Sequence, residues 1–264
     1  MVQFYDEIPT FLSDWIKLQK IFWVATAPLS GDGHVNVSAK GVDGTFHIVN
    51  EHRVWYEDLT GSGCETISHV RENGRVTIYF NAFEGPPRIA RLWGKGTVYE
   101  FGTPEYNALV PPESRKPGSR SVIMIDVHKA ATSCGYAVPF FEYKAERTKL
   151  FEWASDREKH DHASSSPQTL QDLPNKGLKA YWQKMNTSSF DGLPGMDLLP
   201  VTVETQLNST PSDTKVGKNG ANQKQSRAVS IIPIDQNLML GFALGVMTVL
   251  VGGQLRSLGI GRFF

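Results

Sequence analysis

The sequence predicts a mainly β chain of α+β class: a small barrel with peripheral helices, followed by a C-terminal tether and an apolar helix. Three observations carry this. Short runs rich in branched and aromatic residues, among them KIFWVATA, RVTIYFN and RIARLWGKGTVYE, are separated by turns containing Gly or Pro. Residues Arg53 to Arg75 read as strand, glycine-rich turn and short helix. After Met185 large apolar residues give way to Ser, Thr, Pro, Gly, Asn and Lys, until a charge-free run begins at Leu238. The division that follows is a barrel over 1–150, a helical extension over 151–186, a flexible linker over 187–236 and an apolar tail over 237–264.

Thr10 to Gln19 places Phe11, Leu12, Trp15, Ile16 and Leu18 at helical spacing beside Pro9, a residue suited to a first turn. Lys20 to Ala27 is a strand ended by Pro28 and the turn Ser30 to Gly33. The return strand, His34 to Lys40, alternates: Val35 and Val37 on one side, Asn36, Ser38 and Lys40 on the other. An amide, a hydroxyl and an ammonium then recur about 6 to 7 Å apart. That geometry suits either a solvated face or a polar ligand chain ending in phosphate. Thr45 to Asn50 and Arg53 to Glu57 are further strands. Arg75 to Asn81 points Val76, Ile78 and Phe80 inward. Arg88 to Glu100 puts Ile89, Arg91 and Trp93 on one face, where an arginine among apolar neighbours is costly without an acceptor. Pro104 to Val110 is a short helix, Pro111 to Arg120 a loop and Ser121 to Val127 a strand. Tyr143 to His160 is helical, and Leu178 to Met185 is a last short helix.

The turn Thr60-Gly61-Ser62-Gly63 bears most directly on function. Ser62 and Glu65 have the spacing of a capping box, and Gly74 suits a left-handed helix end. First-turn amides, those of Gly63 and Cys64 foremost, face the space beyond the strand end, where unpaired N–H groups and the helix dipole favour an anion. The same residues serve equally to start a surface helix.

DLTGSGCET, with NVSAKG (Asn36 to Gly41) before it and PPRIARLWGKG (Pro86 to Gly96) after it, resembles the pyridoxamine 5'-phosphate oxidase-like family of FMN-binding split barrels. The similarity spans roughly residues 8 to 145. The resemblance implies an FMN-binding split β-barrel, a homodimer with the flavin between protomers, and an oxidoreductase acting on a small-molecule substrate. It implies Asn36, Ser38, Lys40, Thr60, Ser62, Gly63 and Thr66 as cofactor ligands. Relatives with oxidase activity tend to carry a basic pair in the turn, and many have an arginine where His34 stands here. With Ser62 and Gly63 in the turn, the phosphate needs another cation, for which Arg91 is the first choice and Arg88 the second. The alternative is a non-catalytic split-barrel module holding FMN, a deazaflavin or haem at a membrane surface. No residue is assigned as general acid or base, and the family's C-terminal substrate-binding block is not found.

Lys+Arg and Asp+Glu both number 27, which leaves no field for a polynucleotide and argues against a nucleic-acid partner. Cys64 and Cys134 lack metal-ligand spacing and read as reduced thiols of a cytoplasmic setting. His160-Asp161-His162 reads as a solvated helix end, so no metal site is expected. Leu238 to Gly253 holds no charge over sixteen residues, about 24 Å as a helix. That is short of the ~20 residues a bilayer core asks for, yet the long polar tether argues against a core helix. The expectation is a membrane anchor flanked by Arg256 and Arg262, with the barrel facing the cytoplasm.

Overall fold

The computed structural model describes residues 1–163 and 173–198. Its strands are β1 (Gln3–Tyr5), β2 (Phe22–Thr26), β3 (Asn36–Lys40), β4 (Phe46–Asn50), β5 (Arg53–Leu59), β6 (Arg75–Asn81), β7 (Ile89–Glu100) and β8 (Ser119–Ser133). The helices are α1 (Thr10–Ile16), α2 (Glu65–Asn73), α3 (Pro104–Leu109), α4 (Lys149–Ala163) and α5 (Leu178–Met185). The strands pair antiparallel in the order β3-β2-β6-β7-β8-β5-β4, with β1 added to β8. A mostly antiparallel sheet with a few helices agrees with the mainly β expectation.

Period two sets the two faces. In β2, β6 and β7 the buried Val24, Ile78, Ala90 and Leu92 alternate with the half-exposed Trp23, Tyr79 and Arg91. Leu12 and Ile16 of α1, Ile67 of α2, Val54 and Tyr56 of β5, and Ile123 and Ile125 of β8 complete this core. Each side chain of this size contributes about 1.5–3 kcal/mol on full burial, which is what holds α1 and α2 to the sheet. A second cluster joins Trp55 and Val122 to Tyr106 and Val110, seating α3 on the outer side of β5 and β8.

The register of β7 against β8 shifts at Trp93/Gly94. A Cβ on Gly94 would run into the Ile125 side chain and stand 2.6 Å from the Asp126 carbonyl oxygen. Gly94→Ala is therefore expected to cost about 1–3 kcal/mol by overpacking, seen as a lower denaturant midpoint with an unchanged slope.

Several boundaries differ from the sequence reading. β8 runs on to Ser133, because Ala130 and Ala131 are buried and pair with both β1 and β7. Residues 143–148 are not helical, and α4 begins at Lys149. Residues 187–198, read as the start of a flexible linker, are folded. Met196 is 5% exposed in the main core, Ser188 bridges Pro194, and the Met196 N–H donates to the Asn186 carbonyl at 2.7 Å. One buried methionine in polar company leaves no periodic signal, which is why composition hid this segment. No helix among the described residues is long and apolar enough to cross a membrane. The rest of the tether and the expected anchor, Leu238 to Gly253, lie outside the described residues.

Candidate cofactor site

Asn36, Ser38 and Lys40 stand opposite Thr26, Val24 and Phe22 of β2 and so share the core-facing side of the hairpin. Val35 and Val37, on the other side, are 71% and 62% exposed. Hydrogen bonds fix the Asn36 amide: its Nδ2 donates to Thr66 Oγ1 at 3.0 Å and Thr26 Oγ1 at 3.3 Å, while Ser38 Oγ donates to its Oδ1 at 3.2 Å. Thr26 Oγ1 in turn lies 2.9 Å from His69 Nδ1. Burial lowers the His69 pKa, so the ring joins this chain in its neutral form.

Lys40 Nζ lies 2.8 Å from Asp58 Oδ1, and Arg120 Nε lies 2.8 Å from Oδ2. Burial by itself would push the Asp58 carboxyl up. The charges of Arg120 and Lys40, together with their hydrogen bonds, outweigh it and bring the pKa down to about 2. Two cations against one carboxylate leave one net positive charge at this point. Arg120 also donates through Nη1 to the Gly63 carbonyl at 2.8 Å, which ties β8 to the turn.

The turn is held from behind. Thr60 Oγ1 donates to the Gly118 carbonyl at 2.6 Å and accepts from Trp182 Nε1 at 2.8 Å. The single hydroxyl proton of Thr60 is thus committed, and its side chain serves as an anchor for the turn. Asn186 Nδ2 donates to the Gly61 carbonyl at 3.1 Å. The expected capping box is not formed: Cys64 stands at the N-cap without a side-chain cap bond. The Glu65 carboxylate instead occupies the space a Cβ on Gly63 would take, and accepts from the Phe190 N–H at 3.3 Å. Gly74 ends α2 with φ 72°, the left-handed conformation expected of it. Gly61 and Ser62 are exposed, and a Cβ on Gly61 would meet nothing within 4 Å.

Arg91 is not brought to this cluster within the protomer. Tyr79 pairs with both Trp23 and Arg91, and Trp23 pairs with Ala39, so these four lie on the outer face. Lys40 pairs with the core residue Phe22 and points the other way. The Arg91 guanidinium sits 5.2 Å from the Tyr79 ring and donates to Ser133 Oγ at 3.4 Å. Arg88 lies over the rings of Phe11 and Trp15. The arginine that reaches the turn is Arg120, which the sequence reading left at the end of a loop. An aspartate two residues before the turn, inside a strand of large apolar residues, was the available signal, because a carboxylate buried there requires cations nearby.

An FMN phosphate asks for compensating positive charge and several donors. The net charge of Lys40, Asp58 and Arg120 supplies the first, and the remaining Lys40 protons, the Thr66 hydroxyl and the exposed Gly61–Ser62 stretch supply the second, so these residues fit the group. Among the described residues, Glu65 is the opposing charge at the turn, with its carboxylate held by the Phe190 N–H.

No family model matches the chain. The pyridoxamine 5'-phosphate oxidase family protein ustO of Aspergillus flavus is 38% identical over 197 residues, covering 73% of this chain and 77% of that protein. Among solved structures, a variant of HupZ from group A Streptococcus aligns over 48% of this chain and 99% of its own, at 22% identity and a TM-score of 0.40. The FAD binding protein of Mycobacterium smegmatis aligns over 50% of this chain and 98% of its own, at 12% identity and a TM-score of 0.36.

Proposed function

The chain belongs to the pyridoxamine 5'-phosphate oxidase family, and from that premise we propose that it is an FMN-binding flavoprotein, an oxidoreductase that acts on a small molecule as a homodimer. The observation that carries this reading is the net positive Lys40–Asp58–Arg120 group beside Thr66 and the Thr60 to Gly63 turn. Lys40, backed by Arg120, takes the phosphate. Asn36 and Ser38, whose own protons are taken, accept from the hydroxyls of the polar chain, Thr66 donates to it, and Ser62 and Gly63 add donors from the turn. Thr60 keeps that turn in place through Gly118 and Trp182. Arg91, on the outer face beside Tyr79, stays outside this ligand set.

The flavin, when bound, supplies the hydride chemistry. The work of the protein here is to bind and orient. Asp58 stays ionised between its two cations and takes no part as an acid. The purified full-length chain is expected to be yellow, to sediment as a dimer, and to release FMN on denaturation, identified by chromatography. A colourless chain that takes up no added FMN would refute the reading, and a Soret band would replace flavin with haem.

A further inference from the structure

On the outer face of the sheet, beside the last turn of α2, two exposed cations stand next to each other: Arg75 begins β6 and pairs with Lys95 of β7. Both are tethered to Asn73. Arg75 Nε donates to its Oδ1 at 3.2 Å, and Lys95 Nζ donates to its carbonyl at 2.9 Å. Arg75 Nη2 also donates to the Pro28 carbonyl at 3.1 Å. All of these acceptors are neutral. The nearby carboxylates are engaged elsewhere: Asp126, opposite Lys95 on β8, lies 2.6 Å from Arg53 Nε, and Glu72 accepts from the Leu29 N–H at 2.8 Å. Like charges directly opposite on a sheet repel. The end of α2, whose Asn73 carbonyl Lys95 meets, offsets only about half a unit of charge. Most of the positive charge of the pair is therefore left for an anion to balance.

A groove of about 410 Å³ opens at this pair. Ala25, Thr77 and Trp93, which neighbour one another across β2, β6 and β7, continue its lining along the outer face, together with the exposed Val35. His128 joins from β8, where the register shift at Trp93/Gly94 leaves it without a partner on β7. A bulge of this kind re-aims a side chain. Among the described residues no carboxylate lines the groove. Small-molecule sites have volumes of about 300–1,000 Å³ and join apolar walls to a few placed polar groups, and this groove matches on both counts. We propose that it binds a small organic anion, with a carboxylate or phosphate head between Arg75 and Lys95 and an apolar body against Trp93. The groove lies on the face of the sheet opposite Lys40, and the proposal does not depend on the flavin reading.

Equilibrium dialysis of the full-length chain against 1-naphthyl phosphate and 1-naphthoate tests it, with 1-naphthol as the probe lacking the anionic head and inorganic phosphate as the probe lacking the body. Saturable binding of at least one of the two naphthyl anions is expected, unaffected by excess FMN and retained in Lys40→Met. Arg75→Gln and Lys95→Gln should each weaken it roughly tenfold or more, the scale of a hydrogen bond to a charged group. Trp93→Leu should weaken the naphthyl anions and leave inorganic phosphate unchanged. Without ligand, Lys95→Gln should be no less stable to urea than the wild type, because one of two repelling charges is removed. Binding that survives both glutamine variants would overturn the site, and a Lys95→Gln chain that is destabilised yet binds normally would reduce the lysine to a cap on α2. Equal affinity for 1-naphthol would overturn the anionic head, and equal affinity for inorganic phosphate would overturn the apolar body. Displacement by FMN, or loss of binding in Lys40→Met, would put the probe in the cofactor site and overturn a separate groove.

Discussion

Asp58→Ala is expected to destabilise the protein by about 3–5 kcal/mol, the cost of leaving buried charges without their partner. The Arg120 side chain is 5% exposed and that of Lys40 20%, so neither cation recovers its hydration when the carboxylate is removed. Urea titration at neutral pH measures the loss. A parallel acid titration identifies the group responsible. The folded-state pKa of Asp58 is lowered from 3.8 to about 2, so its contribution is complete above the unfolded value and disappears as pH falls through the folded one. The difference is worth about 2 kcal/mol, lost between about pH 4 and pH 2. In Asp58→Ala that part of the acid slope should flatten. A variant with wild-type stability and an unchanged acid limb would show that the two ion pairs hold nothing together.

Lys40→Met is expected to weaken FMN binding by about 1.5–3 kcal/mol, the scale of a hydrogen bond to a charged group. Methionine keeps the aliphatic stem beside the Tyr56 ring, where the Lys40 ammonium sits 5.7 Å from the centroid, so charge is removed with little change in packing. Arg120 remains to neutralise Asp58. Quenching of FMN fluorescence on titration with protein gives the affinity directly. Arg91→Ala is the informative companion. Its guanidinium lies on the far face of the sheet, so within one protomer the affinity should hold. Loss in Arg91→Ala together with an intact Lys40→Met would move the phosphate to the outer face.

Much of the sheet was readable because strand signals repeat. β2, β6 and β7 each announce themselves by alternating large apolar residues, and the alternation in β3 correctly set Asn36, Ser38 and Lys40 apart from Val35 and Val37. Arg91 was misplaced for the same physical reason. Period two fixes which neighbours share a face and leaves open which face is inside. Ala90 and Leu92 take the interior, and Arg91 is sent outward with Trp93. The capping box failed because Glu65 has a better use on Phe190, a residue 125 positions away that local spacing cannot represent. Arg120, Trp182 and Asn186 were missed likewise: each matters through a partner distant in sequence.

The bonds from Trp182 and Asn186 to the Thr60–Gly61 bend reach back over 122 and 125 positions. During vectorial synthesis the bend leaves the ribosome long before the indole and amide that fasten it, and such remote closures come late because their loop entropy must be met first. A nascent chain interrupted ahead of α5 therefore carries the strands with a bend tied to Gly118 and Arg120 but not yet to α5. Maturation of the bend is in this way delayed until α5 has been made.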